Sequence, residues 1–170
     1  MRLYFFLISA AAVLASCDDG PSDAERAEVD RAVIEQVREA NDAAPPLVEV
    51  VPDPLLYPDI EANDLFGVTC AYAPGTSLGA RVIAREADAF MKVDGTVIRF
   101  AADPGSRELP AGTRSLYNGR EYSLRLEIED EGEGEPTADG GAKYYEGTIR
   151  LRDRWDRVIY QGTGAVNCGA

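Results

Sequence analysis

The sequence predicts a mainly β protein: an antiparallel up-and-down barrel of about eight strands, preceded by one N-terminal helix. Three observations predict it. From Leu65 to Cys168 the apolar residues recur with period two, the spacing of a strand with one buried face. Turn residues punctuate these runs, among them Pro74-Gly75, Asp94-Gly95 and Asn118-Gly119. Cys70 falls in the first run and Cys168 ends the last, where a barrel must bring its first and last strands together. A two-sheet β-sandwich is the alternative that the same strand pattern allows.

The chain opens on an uncharged apolar run from Leu3 to Ala15, behind a single charge at Arg2. It has the length of a secretory h-region and is too short for a stable transmembrane helix. Small residues then lead into a cysteine. Leu14-Ala15-Ser16-Cys17 resembles the lipobox of bacterial lipoproteins. The resemblance implies that residues 1–16 are a signal peptide and that Cys17 is lipidated and becomes the first mature residue. It also implies that the protein is anchored in the cell envelope and faces the periplasm. Two or more acyl chains, palmitate among them, make such an anchor stable. An ordinary secreted chain cut near Ala10-Ala11-Ala12 is the alternative. Inner and outer membrane both stay open, although Asp18 would favour retention at the inner membrane by enterobacterial rules.

With Cys17 given to lipid, Cys70 and Cys168 are the remaining cysteines, and an exported chain is expected to pair them. The bond would close 97 intervening residues.

The next segment, 17–58, reads as an acidic helix and a Pro-rich tether. Ser22 and Glu25 form a capping-box pattern that opens a helix running to Ala40. Val29, Val33, Val37 and Ala40 share one side, with Ile34 beside them. Five prolines between Pro45 and Pro58 then forbid helix and favour an extended spacer. The apolar Leu47–Val51 and Leu55–Tyr57 stretches are expected to lie along the domain that follows.

That domain is placed at 59–170. Its first strand is expected over Leu65–Ala73, with Phe66, Val68, Cys70 and Tyr72 on one face. Short runs follow at Ala80–Ala84 and Ala87–Val93. Asp94-Gly95 predicts a two-residue hairpin that pairs Met91 with Ile98 and Ala89 with Phe100. Asn118-Gly119 predicts a second, between Thr113–Tyr117 and Arg120–Glu129. The latter strand alternates most clearly, with Tyr122, Leu124, Leu126 and Ile128 inward. Its partner is expected at Lys143–Arg152. Arg157–Cys168 is the last strand, with Val158, Tyr160, Val166 and Cys168 on one face and a bulge or bend at Gly162 and Gly164.

Charge is unevenly spread. The formal net charge is −13, but residues 17–59 carry twelve acids and three bases, and seven more acids lie between Glu127 and Asp139. The remainder of the domain is nearly balanced, with no basic patch, which argues against nucleic acid as a partner. Histidine is absent, removing the commonest general base and metal ligand. The acidic stretch 129–140 lacks the spacing of an EF-hand and reads as a solvated hairpin loop. No nucleophile elbow, phosphate loop or metal spacing occurs, so no catalytic residue, metal or cofactor is assigned. Trp155 lies among charges in Arg152-Asp153-Arg154-Trp155-Asp156-Arg157. Exposed Trp and Arg are typical of binding hot spots, making Trp155, Arg154 and Arg157 the candidate partner-binding residues. The other reading is a Trp folded over the barrel end with an arginine stacked on it.

The lipobox, Val68-Thr69-Cys70-Ala71-Tyr72 and Phe90-Met91-Lys92-Val93-Asp94-Gly95 together resemble the membrane-bound inhibitors of c-type lysozyme. That resemblance implies a small eight-stranded barrel. The family's Ser-Gly-x-x-Tyr and aromatic-x-Lys-Gly stretches are absent, so no inhibitory residue carries over. The expected function is that of a lipid-anchored, non-catalytic periplasmic binding or envelope-associated protein, held to the membrane through Cys17 and taking an envelope protein as partner. Inhibition of a cationic, lysozyme-like wall-degrading enzyme is one alternative. A hydrolase built on a carboxylate pair is the other.

Overall fold

The computed structural model describes residues 20–77, 79–129, 134–138 and 140–169. Cys17 and its lipobox lie outside the described residues, as do residues 130–133 and 139 of the acidic stretch. No described helix is long and apolar enough to cross a membrane. The chain divides into two compact units, residues 1–44 and 45–170.

The first unit contains helix α1, Asp23–Asp42. Its start is the capping box read from the sequence. The Ser22 hydroxyl accepts from the Glu25 amide at 3.3 Å, and the Glu25 carboxylate accepts from the Ser22 amide at 2.8 Å. The hydroxyl and amide of Ser22 hold the Glu25 carboxyl below its ordinary pKa. Val29, Val33, Ile34 and Val37 are all exposed.

The second unit is a closed antiparallel barrel. Its strands are β1 (Thr69–Pro74), β2 (Val82–Ala84), β3 (Asp88–Val93), β4 (Thr96–Ala102), β5 (Leu116–Asn118), β6 (Tyr122–Ile128), β8 (Ala142–Asp153) and β9 (Val158–Gly169). Each pairs with the next, β6 pairs with β8, and β1 pairs with β9 to close the ring. A ninth strand, β7 (Glu135–Pro136), adds to the part of β8 that extends past β6. Alternation decides what is inside. Tyr72, Met91, Phe100, Tyr117, Leu124 and Ile149 are fully buried and fill the interior.

The Asp94-Gly95 turn has positive φ at both residues and sets the expected register, Met91 opposite Ile98 and Ala89 opposite Phe100. Other details differ from the sequence expectation. β1 begins only at Thr69. Positive φ at Asp64 and Gly67 turns the chain before it, so Leu65 is buried while Phe66 and Val68 are exposed. Asn118 pairs with Ser123, and the three residues 119–121 connect β5 to β6. Gly119 serves there for close approach: a Cβ on it would lie 3.0 Å from the Phe100 ring. The bulge in β9 falls at Ile159, where Leu151 pairs with Tyr160 but Arg152 with Val158. It buries Ile159 and turns Val158 out. Gly164 instead makes room for β1, because a Cβ there would meet the backbone of Ala73, Pro74 and Gly75.

The compact unit starts at Pro45, ahead of residue 59. The Pro-rich stretch does lie along the domain. The amide of Val50 donates to Ile159 O, that of Asp53 to Lys92 O and that of Leu55 to Ala80 O. Helix α2, Tyr57–Ala62, follows. Its Asp59 accepts from Lys92 Nζ at 2.9 and 3.0 Å, which, with the Leu56 amide, lowers the carboxyl's pKa. Leu55 and Leu65 pack on the outward side chains Ile83 and Phe90, forming a second core outside the barrel. β2 and β3 are thus covered on both faces and read as nearly continuous apolar runs.

An ion triad centred on the buried Asp88 lies beside that layer, and its Arg85 donates from Nη1 to Asp64 O at 2.9 Å. Asp88 is 3% exposed and accepts from Arg85 Nε at 2.7 Å and Arg99 Nε at 2.9 Å. Burial raises its carboxyl, but the two guanidinium groups outweigh burial and hold the pKa below the ordinary value. Tyr117 donates its hydroxyl to Arg85 O at 2.8 Å and accepts the Arg114 amide at 2.6 Å.

Cys70 and Cys168 are register partners on β1 and β9, with their sulfurs 2.00 Å apart. Reducing this bond, or replacing both residues by Ser, should lower the unfolding free energy by about 4.7 kcal/mol on the chain-entropy scale. Urea titration with and without reductant measures this, and a loss smaller than that of Leu124→Ala contradicts it. The depressed Asp88 pKa stabilises the fold above the ordinary carboxylate range, and that contribution is lost as pH falls through the folded value. Asp88→Asn should cost about 2 kcal/mol at neutral pH and flatten the acid limb of stability against pH. An unchanged acid limb would remove Asp88 as its cause.

Candidate functional site

The interior is occupied by side chains, so the surfaces open to a partner are the outer faces and the ends. The β8–β9 turn is one of them, and Asp153 builds it. Asp153 Oδ1 accepts the amides of Trp155 and Arg157, both at 2.9 Å. Its Oδ2 accepts Arg157 Nε at 2.8 Å, and the backbone closes with Asp156 N to Asp153 O at 3.0 Å. Positive φ at Asp156 completes the reversal. Burial raises the Asp153 carboxyl, but the Arg157 amide and guanidinium and the Trp155 amide outweigh it, leaving its pKa lowered.

Trp155 rides on this frame, 38% exposed. Arg154 Cζ lies 4.9 Å and Arg157 Cζ 5.2 Å from the ring centroid. The three residues singled out in the sequence therefore meet in space, with different parts to play. Arg157 is structural: besides Asp153, it donates from Nη1 to Pro45 O at 2.7 Å, tying the turn to the start of the compact unit. Trp155 and Arg154 are the members presented outward.

A polar trough leads away from this turn along the outer face of β5, β6 and β8. One part is lined by Asn118, Ser123, Arg125, Arg150, Arg152 and Asp156. It continues past Arg125 and Glu127 towards the 103–107 loop. Arg150 is held by Glu127 and by Gln161 Oε1 at 3.0 Å, and Arg152 by the Asp156 backbone oxygen at 2.6 Å. The sequence pairs the two strands that carry these arginines, Arg120–Glu129 and Lys143–Arg152, without fixing which residues lie opposite. The signal is the β6–β8 register, which sets Arg125 opposite Arg150 and Ser123 opposite Arg152.

A second surface went unread. Leu56, Tyr57, Phe66 and Val68 are exposed around α2, with the Tyr57 and Phe66 rings 6.4 Å apart. Among the described residues, no group of His, Cys, Asp or Glu is arranged to hold a metal ion. Of the carboxylates that line the trough, Glu127 is held by Arg150 and Asp156 by Arg152, while Asp103 and Glu129 have no arginine partner among the described residues.

No family model, curated protein or solved structure matches the chain.

Proposed function

We propose that the protein is a non-catalytic binding module of the bacterial cell envelope, anchored by lipid on Cys17 and facing the periplasm. It takes a protein partner at the β8–β9 turn. The observation that carries this reading is the presentation of Trp155. A large aromatic side chain stands half-exposed, with Arg154 stacked on it, on a turn whose own polar groups are already satisfied by Asp153 and Arg157. A preorganised aromatic and arginine pair loses little side-chain freedom on docking, which favours affinity. The packing supports binding over hydrolysis. The interior is filled, leaving no enclosed cleft for a substrate among the described residues, and two of the acids along the trough, Glu127 and Asp156, are held by Arg150 and Arg152.

Trp155→Ala should remove most of the recovery of a cross-linked envelope partner while leaving the thermal midpoint within a few degrees of wild type. Quantitative affinity capture from envelope extract measures it. Equal recovery by wild type and variant overturns the assignment of the turn. For the anchor, a clickable palmitate analogue should label the wild-type chain and not Cys17→Ala; equal labelling removes the lipid from the proposal.

A further inference from the structure

The surface around α2 combines an apolar patch with an acidic rim. Leu56, Tyr57, Phe66 and Val68 are each more than half exposed, and the rings of Tyr57 and Phe66 lie 6.4 Å apart. Apolar side chains gathered in one exposed place mark a docking surface, whereas single ones carry no such meaning. Buried neighbours hold this patch in position. Leu55 and Leu65, in the second core, pin the chain on either side of α2. The Leu56 amide donates to Asp59 Oδ2 at 2.9 Å, and positive φ at Asp64 and Gly67 turns the chain so that Phe66 faces out. A patch fixed in this way loses little freedom when it is covered.

The rim is of one sign. From Pro45 to Ala80 the chain carries five acids, Glu49, Asp53, Asp59, Glu61 and Asp64, and no Lys or Arg. Lys92 answers Asp59. Glu61 and Asp64 are exposed, and their carboxylates have no ion pair among the described residues. Arg85 donates to the carbonyl oxygen of Asp64 and gives its other donors to Asp88.

We propose that the α2 surface binds a basic protein segment with an apolar face. Its apolar side chains sit on Tyr57 and Phe66, and its Lys or Arg residues reach Glu61 and Asp64. An apolar centre inside a charged rim is the usual anatomy of a protein interface, and the sign of the rim selects the partner. Charge also weighs against two other occupants. A second copy of this chain, with its formal charge of −13, would bring like charge to the rim, and so would anionic lipid. The inference adds an interface on the roofed side of the barrel. It does not rest on the Trp155 turn, so loss of binding there and loss of binding at α2 are separate readouts.

The test titrates the full-length protein in maltoside micelles with three fluorescent peptides of equal length. They are an amphipathic leucine–lysine helix, a leucine–glutamate helix of the same pattern, and oligolysine. With empty micelles subtracted, the leucine–lysine peptide should bind saturably and the other two about tenfold more weakly or worse. Phe66→Ser should weaken its binding about tenfold, and so should the double variant Glu61→Gln with Asp64→Asn, both with thermal midpoints within a few degrees of wild type. Asn is chosen at 64 because it tolerates the positive φ there. Glu121→Gln, which removes an exposed acid from the β5–β6 connection, and Trp155→Ala should leave affinity within about twofold. No saturable binding of the leucine–lysine peptide overturns the proposal, as does equal binding of either control peptide. Equal weakening by Glu121→Gln or Trp155→Ala also overturns it, since the binding then lies elsewhere or is general electrostatics. A nitroxide on Val68→Cys, in vesicles of phosphatidylethanolamine and phosphatidylglycerol, should be relaxed more by a water-soluble nickel chelate than by oxygen; the reverse makes the membrane the occupant. A dimer in analytical ultracentrifugation that Phe66→Ser dissolves makes it a second copy. Either result overturns the proposal.

Discussion

Closure of the ring is the constraint on which the rest of the structure depends. An open sheet of these strands would leave β1 and β9 as edges with unpaired backbone groups, and its single apolar face would need a second layer. Pairing β1 with β9 over six register positions removes both problems. Cys70 and Cys168 lie within that seam, at adjacent positions on the two strands. The bond thus fastens the contact with the greatest separation in sequence, whose formation costs the most chain entropy. Gly164 belongs to the same seam. Its missing Cβ lets the end of β1 reach β9, where any side chain would meet the β1 backbone.

Once closed, the barrel has an outside, and its faces have different fates. The β2–β3 side is roofed by Leu55, α2 and Leu65, which gives Ile83 and Phe90 a second core. Two ion contacts hold that side together, Asp59 with Lys92 and Asp88 with Arg85 and Arg99. The β5–β6–β8 side has no such cover and carries arginines, hydroxyls and amides in cross-strand rows. Structural demand is concentrated on the covered side, where carboxylates are buried and answered. The open side carries the polar trough, which the Trp155 turn ends. This division of labour between faces supports the placing of the Trp155 contact on the open side.

Legibility varied with the range of the interaction. The Asp94-Gly95 hairpin and the Ser22–Glu25 capping box involve residues close in sequence, and their local chemistry determines their geometry. The inward set on β6 was equally legible because alternation alone specifies it. Asn118-Gly119 misled, since the same dipeptide that favours a tight turn here answers the need of Phe100 for space. Phe66 and Val68 kept the period of a strand but not its backbone, which Asp64 and Gly67 turn aside. In β9 one extra residue, Ile159, reversed which of its neighbours faces outward. At Gly119 a non-local packing demand prevailed over a local preference, and in the other two cases the backbone departed from the regular strand that alternation assumes.

For the candidate site the same boundary holds. Trp155, Arg154 and Arg157 are neighbours in sequence, so their gathering in one turn was readable, although only the structure separates the structural Arg157 from the presented pair. Arg125 and Arg150 are far apart in the chain, and only register makes them opposite. By itself the sequence determined the fold class, the strands with one apolar face and the two cysteines available to one another. Composition and periodicity are properties of segments, and burying one face per strand selects a two-layered β architecture, barrel or sandwich, between which the cysteines in the first and last strands favour the closed ring. Tertiary structure alone decided the register of β6 on β8 and the roof over β2 and β3. Register depends on how every strand around a closed ring fits its neighbours at once, and no single segment contains that information.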